Sequence, residues 1–249
     1  MRYLIIADMH GNSDALRTVL TDARSQGFDE VLVLGDLVGY GATPNEIVDE
    51  LGRLDAPYHA IRGNHDKVVA GIDTGLNFNP TALQAARWTT DELTEDNLEF
   101  VRELPQGPVR IEEDLVICHG SLLDEDEYLL AAVDAIESLH SVEDQVTFFG
   151  HTHIPSRFAY RQTDGQIEVA VLEGDELTLA LEEDVRYMLN PGSVGQPRDR
   201  DPRAAYMIYD TDAEQVHLRR LEYPIEQAQE RIRSAGLPDI LADRLAVGI

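Results

Sequence analysis

Five glycine-flanked segments, each just after an apolar run, carry most of this chain's histidines. They are DMH with Asp8 and His10, GDLVGYG with Asp36, GNHD with Asn64, His65 and Asp66, CHGS with His119, and GHTH with His151 and His153. Carboxylate, carboxamide and imidazole groups of this kind are ligands for divalent ions. Segments so far apart in sequence can serve one ion pair only if the fold gathers several strand ends at one place.

The apolar runs supply the strands. Residues 3–7 and 31–35 read as buried strands, with a helix at 12–26 between them whose Leu16, Val19, Leu20 and Ala23 share a face. A second helix at 44–54 starts on Pro44, and a third strand covers 58–61. This βαβαβ opening predicts a parallel sheet with ligands at the carboxyl ends of its strands. The middle predicts helices at 80–92 and 95–103, a hairpin of 109–112 with 115–119, a helix over about 125–139 and a strand at 146–149. Short alternating runs at 156–161, 167–172, 176–181 and 185–189, then 204–210 and 214–221, read as consecutive antiparallel strands. One or two helices from 224 to about 245 close the chain. The expected fold is α/β: a mixed two-sheet β-sandwich core flanked by helices. It is read as one domain over 1–249, with a helical insert at about 67–105.

Within the segments, Asp8 and His10 are two apart at a strand end, so strand alternation would put both on one face to clamp one ion. Asp36 occupies the same place on the next strand, where a single carboxylate can bridge two ions. Asn64 offers a neutral oxygen. His65, next to it, points elsewhere and suits a proton donor, with Asp66 placed to orient it. His119 ends another strand, and His151 and His153 are again two apart. Cys118 reads as a small core residue, and His59, His140 and His217 as structural or exposed.

The order DxH, GD, GNHD, H, GHxH resembles the calcineurin-like metallophosphoesterase superfamily over about residues 3–200. GDLVGYGATPNE at 35–46 and NPGSVGQPRD at 190–199 are similar to its small bacterial and archaeal branch, which includes phosphodiesterases and symmetrical dinucleoside-tetraphosphatase-like enzymes. The resemblance implies one metal on Asp8, His10, Asp36 and His153, and a second on Asp36, Asn64, His119 and His151. It implies attack on phosphorus by a hydroxide between the metals, with His65 protonating the leaving oxygen or stabilising the developing charge and Asp66 behind it. The expected function is hydrolysis of a phosphate ester, with a phosphodiester or dinucleoside polyphosphate favoured over a monoester. Two divalent ions are expected, Mn first, with Fe, Zn, Co and Ni also suited to such ligands. Arg198 and Arg62 are candidate substrate contacts, Tyr40 and Asn45 weaker ones. Ser193 in NPGSVG either approaches a phosphate or belongs to a turn that supports GHTH.

Composition bounds the partners. The net charge is −27, from 47 acidic against 20 basic residues, and Lys67 is the only lysine. Such a surface repels nucleic acid and anionic membranes, so no stable nucleic-acid partner is expected. The dispersed acids and near-absence of lysine resemble proteins of salt-accumulating halophiles, where salt screens self-repulsion. No apolar stretch reaches the ~18 residues of a membrane helix, the first residues lack a signal-peptide pattern, and the single cysteine excludes an intrachain disulfide. These features point to a cytoplasmic protein. A homo-oligomer stays open. The competing readings are a phosphomonoesterase or protein phosphatase, a phosphoesterase-like scaffold without catalysis, and a nuclease, which would want a basic groove.

Overall fold

The computed structural model describes residues 1–249. In chain order the elements are β1 Arg2–Ile6, α1 Ser13–Gln26, β2 Glu30–Val33, α2 Pro44–Gly52, β3 Tyr58–Ala60, α3 Asn64–Val69, α4 Pro80–Glu92, α5 Glu95–Glu103, β4 Val109–Glu112, β5 Leu115–Ile117, α6 Ala132–Ser141 and β6 Val146–Phe148. They continue with β7 Ser156–Arg161, β8 Ile167–Val171, β9 Glu176–Ala180, β10 Val185–Asn190, β11 Ala204–Asp210, β12 Gln215–Leu221, α7 Ile225–Ser234, α8 Asp239–Asp243 and a 3₁₀ turn at Arg244–Ala246.

Two six-stranded mixed sheets stack face to face, in the orders β3-β2-β1-β11-β12-β9 and β4-β5-β6-β10-β7-β8. The expected βαβαβ opening is present: β1 pairs parallel with β2, and β2 with β3. Alternation along β1 explains its continuous apolar run, because both faces are covered. Tyr3 and Ile5 point between the sheets with Leu32, Leu115, Phe148 and Leu189. Leu4 and Ile6 face the other way, into a cluster with Leu16, Val19 and Leu20 of α1 and Ile47 of α2. On the outside of the second sheet, α6 packs Ala135 and Leu139 over Val116, Cys118 and Met188. Cys118 is thus the core residue its surroundings suggested.

Local signals set several helix starts. Asn12 accepts a hydrogen bond from the Ala15 amide (3.2 Å) and Asn79 one from Ala82 (2.9 Å), with Pro80 in the first turn of α4. Thr94 does the same for Asn97 at 3.3 Å. Each satisfies an amide that a helix start leaves without a partner.

Two expectations need correction. The helix foreseen at 125–139 begins only at Ala132. Side chains upstream bind the backbone instead: Ser121 Oγ accepts from the Leu123 and Asp124 amides (3.2 and 2.9 Å), and Asp124 accepts from Asp126 (2.9 Å). Such local bonds compete with a helix. The consecutive antiparallel run also divides. β8 pairs with β7 in one sheet and β9 with β12 in the other, while Leu172 in the connection is buried between the sheets. GNHD, following β3, opens α3.

Candidate metal centre

The carboxyl ends of β1, β2, β3, β5 and β6 all open onto one region, and Asp8, Asp36, Asn64, His119 and His151 follow them in turn. The loops after the strands continue the ladder. The Asp8 amide donates to Gly35 O (3.1 Å), His10 to Asp36 O (3.0 Å) and Gly195 to Asp8 O (3.0 Å). These residues are not strand residues, since β1 ends at Ile6. The alternation argument for Asp8 with His10, and for His151 with His153, therefore fails. Convergence arises instead from the left-handed backbone: φ is +54° at Asp8, +46° at His10, +52° at Asp36, +66° at His151 and +60° at His153. Strain of order 1–3 kcal/mol per residue survives only where surrounding contacts over-determine it, and it gathers at functional sites.

The ligand atoms form two groups, Asp8 with His10, Asp36 and His153, and Asp36 with His119 and His151, each within 4.8 Å. Asp36 is common to both: its Oδ2 lies 3.4 Å from His10 Nε2 and 3.5 Å from His119 Nε2. Asn64 Oδ1 joins the second group, 3.3 Å from His119 Nε2. Asn64 and His65 sit at successive positions of α3, about 100° apart around the axis. The His65 ring accordingly lies on the other side, packed against His10 (4.8 Å between centroids), Tyr40 (4.3 Å) and Phe78 (4.5 Å).

Each of the four other rings directs one nitrogen at a backbone carbonyl. His10 Nδ1 donates to Val38 O (3.2 Å), His119 Nδ1 to Leu34 O (2.7 Å), His153 Nδ1 to Gln196 O (2.6 Å) and His151 Nε2 to Asp126 O (3.1 Å). A carbonyl only accepts, so these bonds fix the tautomers and turn the remaining nitrogen toward the site. Burial, before any other effect, holds His10 and His153 well below the usual range and takes His151 to about 3. Neutral His10 and His153 then present bare Nε2 lone pairs only 3.1 Å apart. Asp8 adds a carboxylate whose Oδ2 is buried without a partner. Facing lone pairs and an orphaned carboxylate oxygen repel one another unless a cation lies among them.

Without a cation, protons must do that work. Burial pushes the Asp8 carboxyl up to about 8. Burial also opposes ionisation of Asp36, but the His119, His10 and His65 rings outweigh it and hold that carboxyl well below the usual range. Burial disfavours a charged His119 too, yet the Asp36 carboxylate beside it raises the ring to about 10. The donor set thus fits divalent cations, which would take the place of those protons.

The family model for the calcineurin-like phosphoesterase superfamily domain matches residues 1–214. The chain belongs to this superfamily. A metallophosphoesterase from Sphaerobacter thermophilus is 38% identical, with a TM-score of 0.85 over 100% of this chain and 99% of that one. An uncharacterised protein of Methanocaldococcus jannaschii is 34% identical over 98% of this chain and 97% of its own length. A symmetrical bis(5'-nucleosyl)-tetraphosphatase of Baumannia cicadellinicola is 27% identical over 49% of this chain and 43% of its own. The protein is a metal-dependent phosphoester hydrolase with the two-sheet fold of its superfamily, and its clustered Asp and His side chains support a divalent metal site.

In this phosphoesterase Asp66, Arg62 and Asn45 make contacts that the sequence did not suggest. Asp66 does not orient His65. Its carboxylate accepts from the amides of Leu37 (3.2 Å), Val38 (3.1 Å) and Gly63 (2.9 Å), and so pins the Asp36 loop to the start of α3. His65 Nδ1 is buried without a partner, and burial lowers the ring to about 4, so it is neutral at neutral pH. Arg62 is tied to Glu125 (3.1 and 3.0 Å) and Gln106 (2.9 Å). Asn45 holds the α4–α5 junction, donating to Glu92 O and accepting from Thr94 N (both 2.9 Å). Ser193 is a turn support, donating to Asp8 O (2.7 Å) and accepting from Gln196 N (2.8 Å). His59 pairs with Glu30 at 3.1 Å, His217 with Thr178 at 2.9 Å, and His140 is exposed, all away from the centre.

Arg198 does come close. Its guanidinium lies 5.9 Å from the centre of the Tyr40 ring, which itself packs on His10 and His65. Three contacts were not read from sequence. Tyr128 stacks on His151 at 3.8 Å, Phe78 packs on His65, and Arg244 lies 5.7 Å from Tyr40. Tyr128 and Phe78 flank a cleft of about 200 Å³ that Asn64 and His151 also line. No local pattern announces such contacts, since each joins segments distant in the chain. No helix is long and apolar enough to cross a membrane.

Proposed function

We propose that this protein hydrolyses a phosphodiester or dinucleoside polyphosphate with two divalent ions. Asp8, His10, Asp36 and His153 would hold one, and Asp36, Asn64, His119 and His151 the other. The observation that carries the reading is the Asp36 carboxylate shared between two groups of imidazoles whose tautomers are fixed by backbone carbonyls. The tetraphosphatase relative supports the polyphosphate side of the reading. Manganese is the first choice of metal, with Fe, Zn, Co and Ni as other fits to a mixed imidazole and carboxylate set. We take 1–249 as one domain, with 67–105 as an insert over the cleft, and the acidic surface as an adaptation to a salt-rich cytoplasm.

The two divalent ions, held by these residues, would supply charge neutralisation at phosphoryl oxygens and a water of lowered pKa. The chain's own residues supply the rest. Asp66 and the left-handed loops fix the ligands before substrate arrives. His65, neutral and packed between Tyr40 and Phe78, can donate a hydrogen bond from a ring N–H to the charge developing on the leaving oxygen, worth roughly 10²–10³ in rate for one such donor. The local positive charge also lets an acidic chain accept an anion, because its distant charges are screened beyond ~8–10 Å.

The test is turnover of bis-p-nitrophenyl phosphate with Mn²⁺ supplied, in salt that keeps the protein folded. Hydrolysis is expected, with two ions per chain by elemental analysis. His65→Ala should keep both ions and lose most of the rate. Absence of turnover of both this diester and diadenosine tetraphosphate with every divalent ion tried refutes the reading.

A further inference from the structure

Most arginines here are matched to a carboxylate, as expected in so acidic a chain; Arg62, Arg110, Arg219 and Arg220 are examples. Arg198 and Arg244 are different. Both are half-buried, and neither has an acidic side chain within ion-pair distance. Their guanidinium carbons lie 5.9 and 5.7 Å from the same Tyr40 ring centre. Arg198 Nε is buried without a partner, and one of its amino groups reaches only the neutral Gln196 amide (3.2 Å). Arg244 Nε donates to the main-chain oxygen of Ile249.

The pair is built rather than incidental. Leu241, Ala242 and Leu245 are buried in the main core, which fixes α8 and the turn that carries Arg244. The Arg200 amide donates to Gly248 O at 2.8 Å, docking the end of the chain on the loop that carries Arg198. That loop is held in turn by ion pairs of Arg220 with Asp199 and of Arg203 with Asp201 (2.6 Å). Two cations are thereby brought together in a half-buried place. Burial, and then the charge of Arg198, weaken the hold of Arg244 on its proton. Like charges so placed destabilise the protein unless an anion lies between them.

The position defines the anion. Tyr40, the ring shared by both guanidiniums, packs on His10 (4.8 Å) and His65 (4.3 Å), so the pair borders the metal centre on the His65 side. Guanidinium groups match phosphoryl oxygens in shape and charge. We propose that Arg198 and Arg244, set over Tyr40, form a subsite for a second phosphoryl group, and that the enzyme selects esters containing a pyrophosphate linkage over isolated diesters. This rests on the phosphoesterase reading above. Arg244 lies beyond residues 1–214 matched by the family model, so the selectivity comes from the segment that follows the matched domain.

The experiment is calorimetry on the Mn²⁺-loaded protein with two probes, methylenediphosphonate and methylphosphonate. Both engage the metals, so the ratio of their affinities isolates the second phosphoryl group. Arg244→Ala and Arg198→Ala should each lower that ratio roughly ten- to hundred-fold, the worth of charge-assisted bonds to an anion. Arg244→Lys should restore part of it. Arg244→Gln serves where the alanine variant fails to fold, with the same loss expected. A ratio unchanged from wild type in folded variants of both arginines overturns the subsite. Failure to turn over both bis-p-nitrophenyl phosphate and diadenosine tetraphosphate with every divalent ion would instead refute the phosphoesterase reading, and the calorimetric ratio would still decide the subsite.

Discussion

Gly63→Ala probes how the shared carboxylate is held. Gly63 has φ −105° and ψ −177°, which any residue adopts, so alanine introduces no backbone strain. The obstacle is contact alone. A Cβ built there would lie 2.5 Å from the Asp36 amide nitrogen and 2.7 Å from Asp36 Cγ, closer still to Oδ1, where ordinary contact begins at 3.4 Å. Asp36 must therefore retreat by at least about 0.7–0.9 Å, several times the ~0.2 Å tolerance of a metal–ligand distance. Overpacking of this kind costs about 1–3 kcal/mol. Displacing a ligand shared by both ions should weaken metal binding by roughly 10–100-fold, by analogy with loss of an orienting contact. Gly52→Ala is the control: nothing lies within 4 Å of its Cβ, at the end of α2. It should be neutral, or stabilising by up to about 1 kcal/mol through chain entropy. The assays are denaturant unfolding and metal titration, both in high salt. A Gly63→Ala protein with wild-type stability and two tightly held ions would refute the reasoning, because it would show that Asp36 is free to move.

Three further outcomes follow from the site and surface. Asp66→Asn puts an amide group among three backbone donors that now share a carboxylate; metal affinity should fall along with turnover, and a variant with normal metal binding and a lower kcat alone would show that Asp66 acts on His65 after all. Metal binding should release protons, because Asp8 at about 8 and His119 at about 10 hold them in the metal-free protein. Ionisation is required for ligation, so affinity should rise with pH between about 6 and 8; calorimetry in buffers of different ionisation enthalpy reads this, and zero proton release at pH 7 contradicts it. The charge of −27 predicts a melting temperature that climbs with KCl as self-repulsion is screened; a flat response between dilute buffer and molar salt removes the halophilic reading.

Much of the fold was legible because its signals are local. Apolar runs of strand length, Pro44 and Pro80 in first turns, and Thr94 as a cap marked elements that the structure contains. The absence of a helix over 125–131 was illegible because Ser121 and Asp124 turn their oxygens onto nearby amides, and an acidic, Leu-containing stretch looks the same either way. The assignment of β8 and β9 to different sheets was also hidden. Alternation tells which face of a strand is buried, but not which strand lies beside it.

The sequence by itself determined the ligand types, their order and their position after apolar runs, since those are properties of residues and their near neighbours. It also separated His65 from Asn64 by adjacency. What only the tertiary structure decided is how the groups are used. The left-handed backbone at Asp8, His10, Asp36, His151 and His153 depends on hydrogen bonds between loops from different strands. The tautomers depend on carbonyls such as Leu34 and Gln196. Asp66 accepts from the amides of Leu37 and Val38, and Arg62 pairs with Glu125, because partners near in space were distant in sequence. Arg244 reached Tyr40 for the same reason, carried across the molecule by a helix whose apolar face had to be buried.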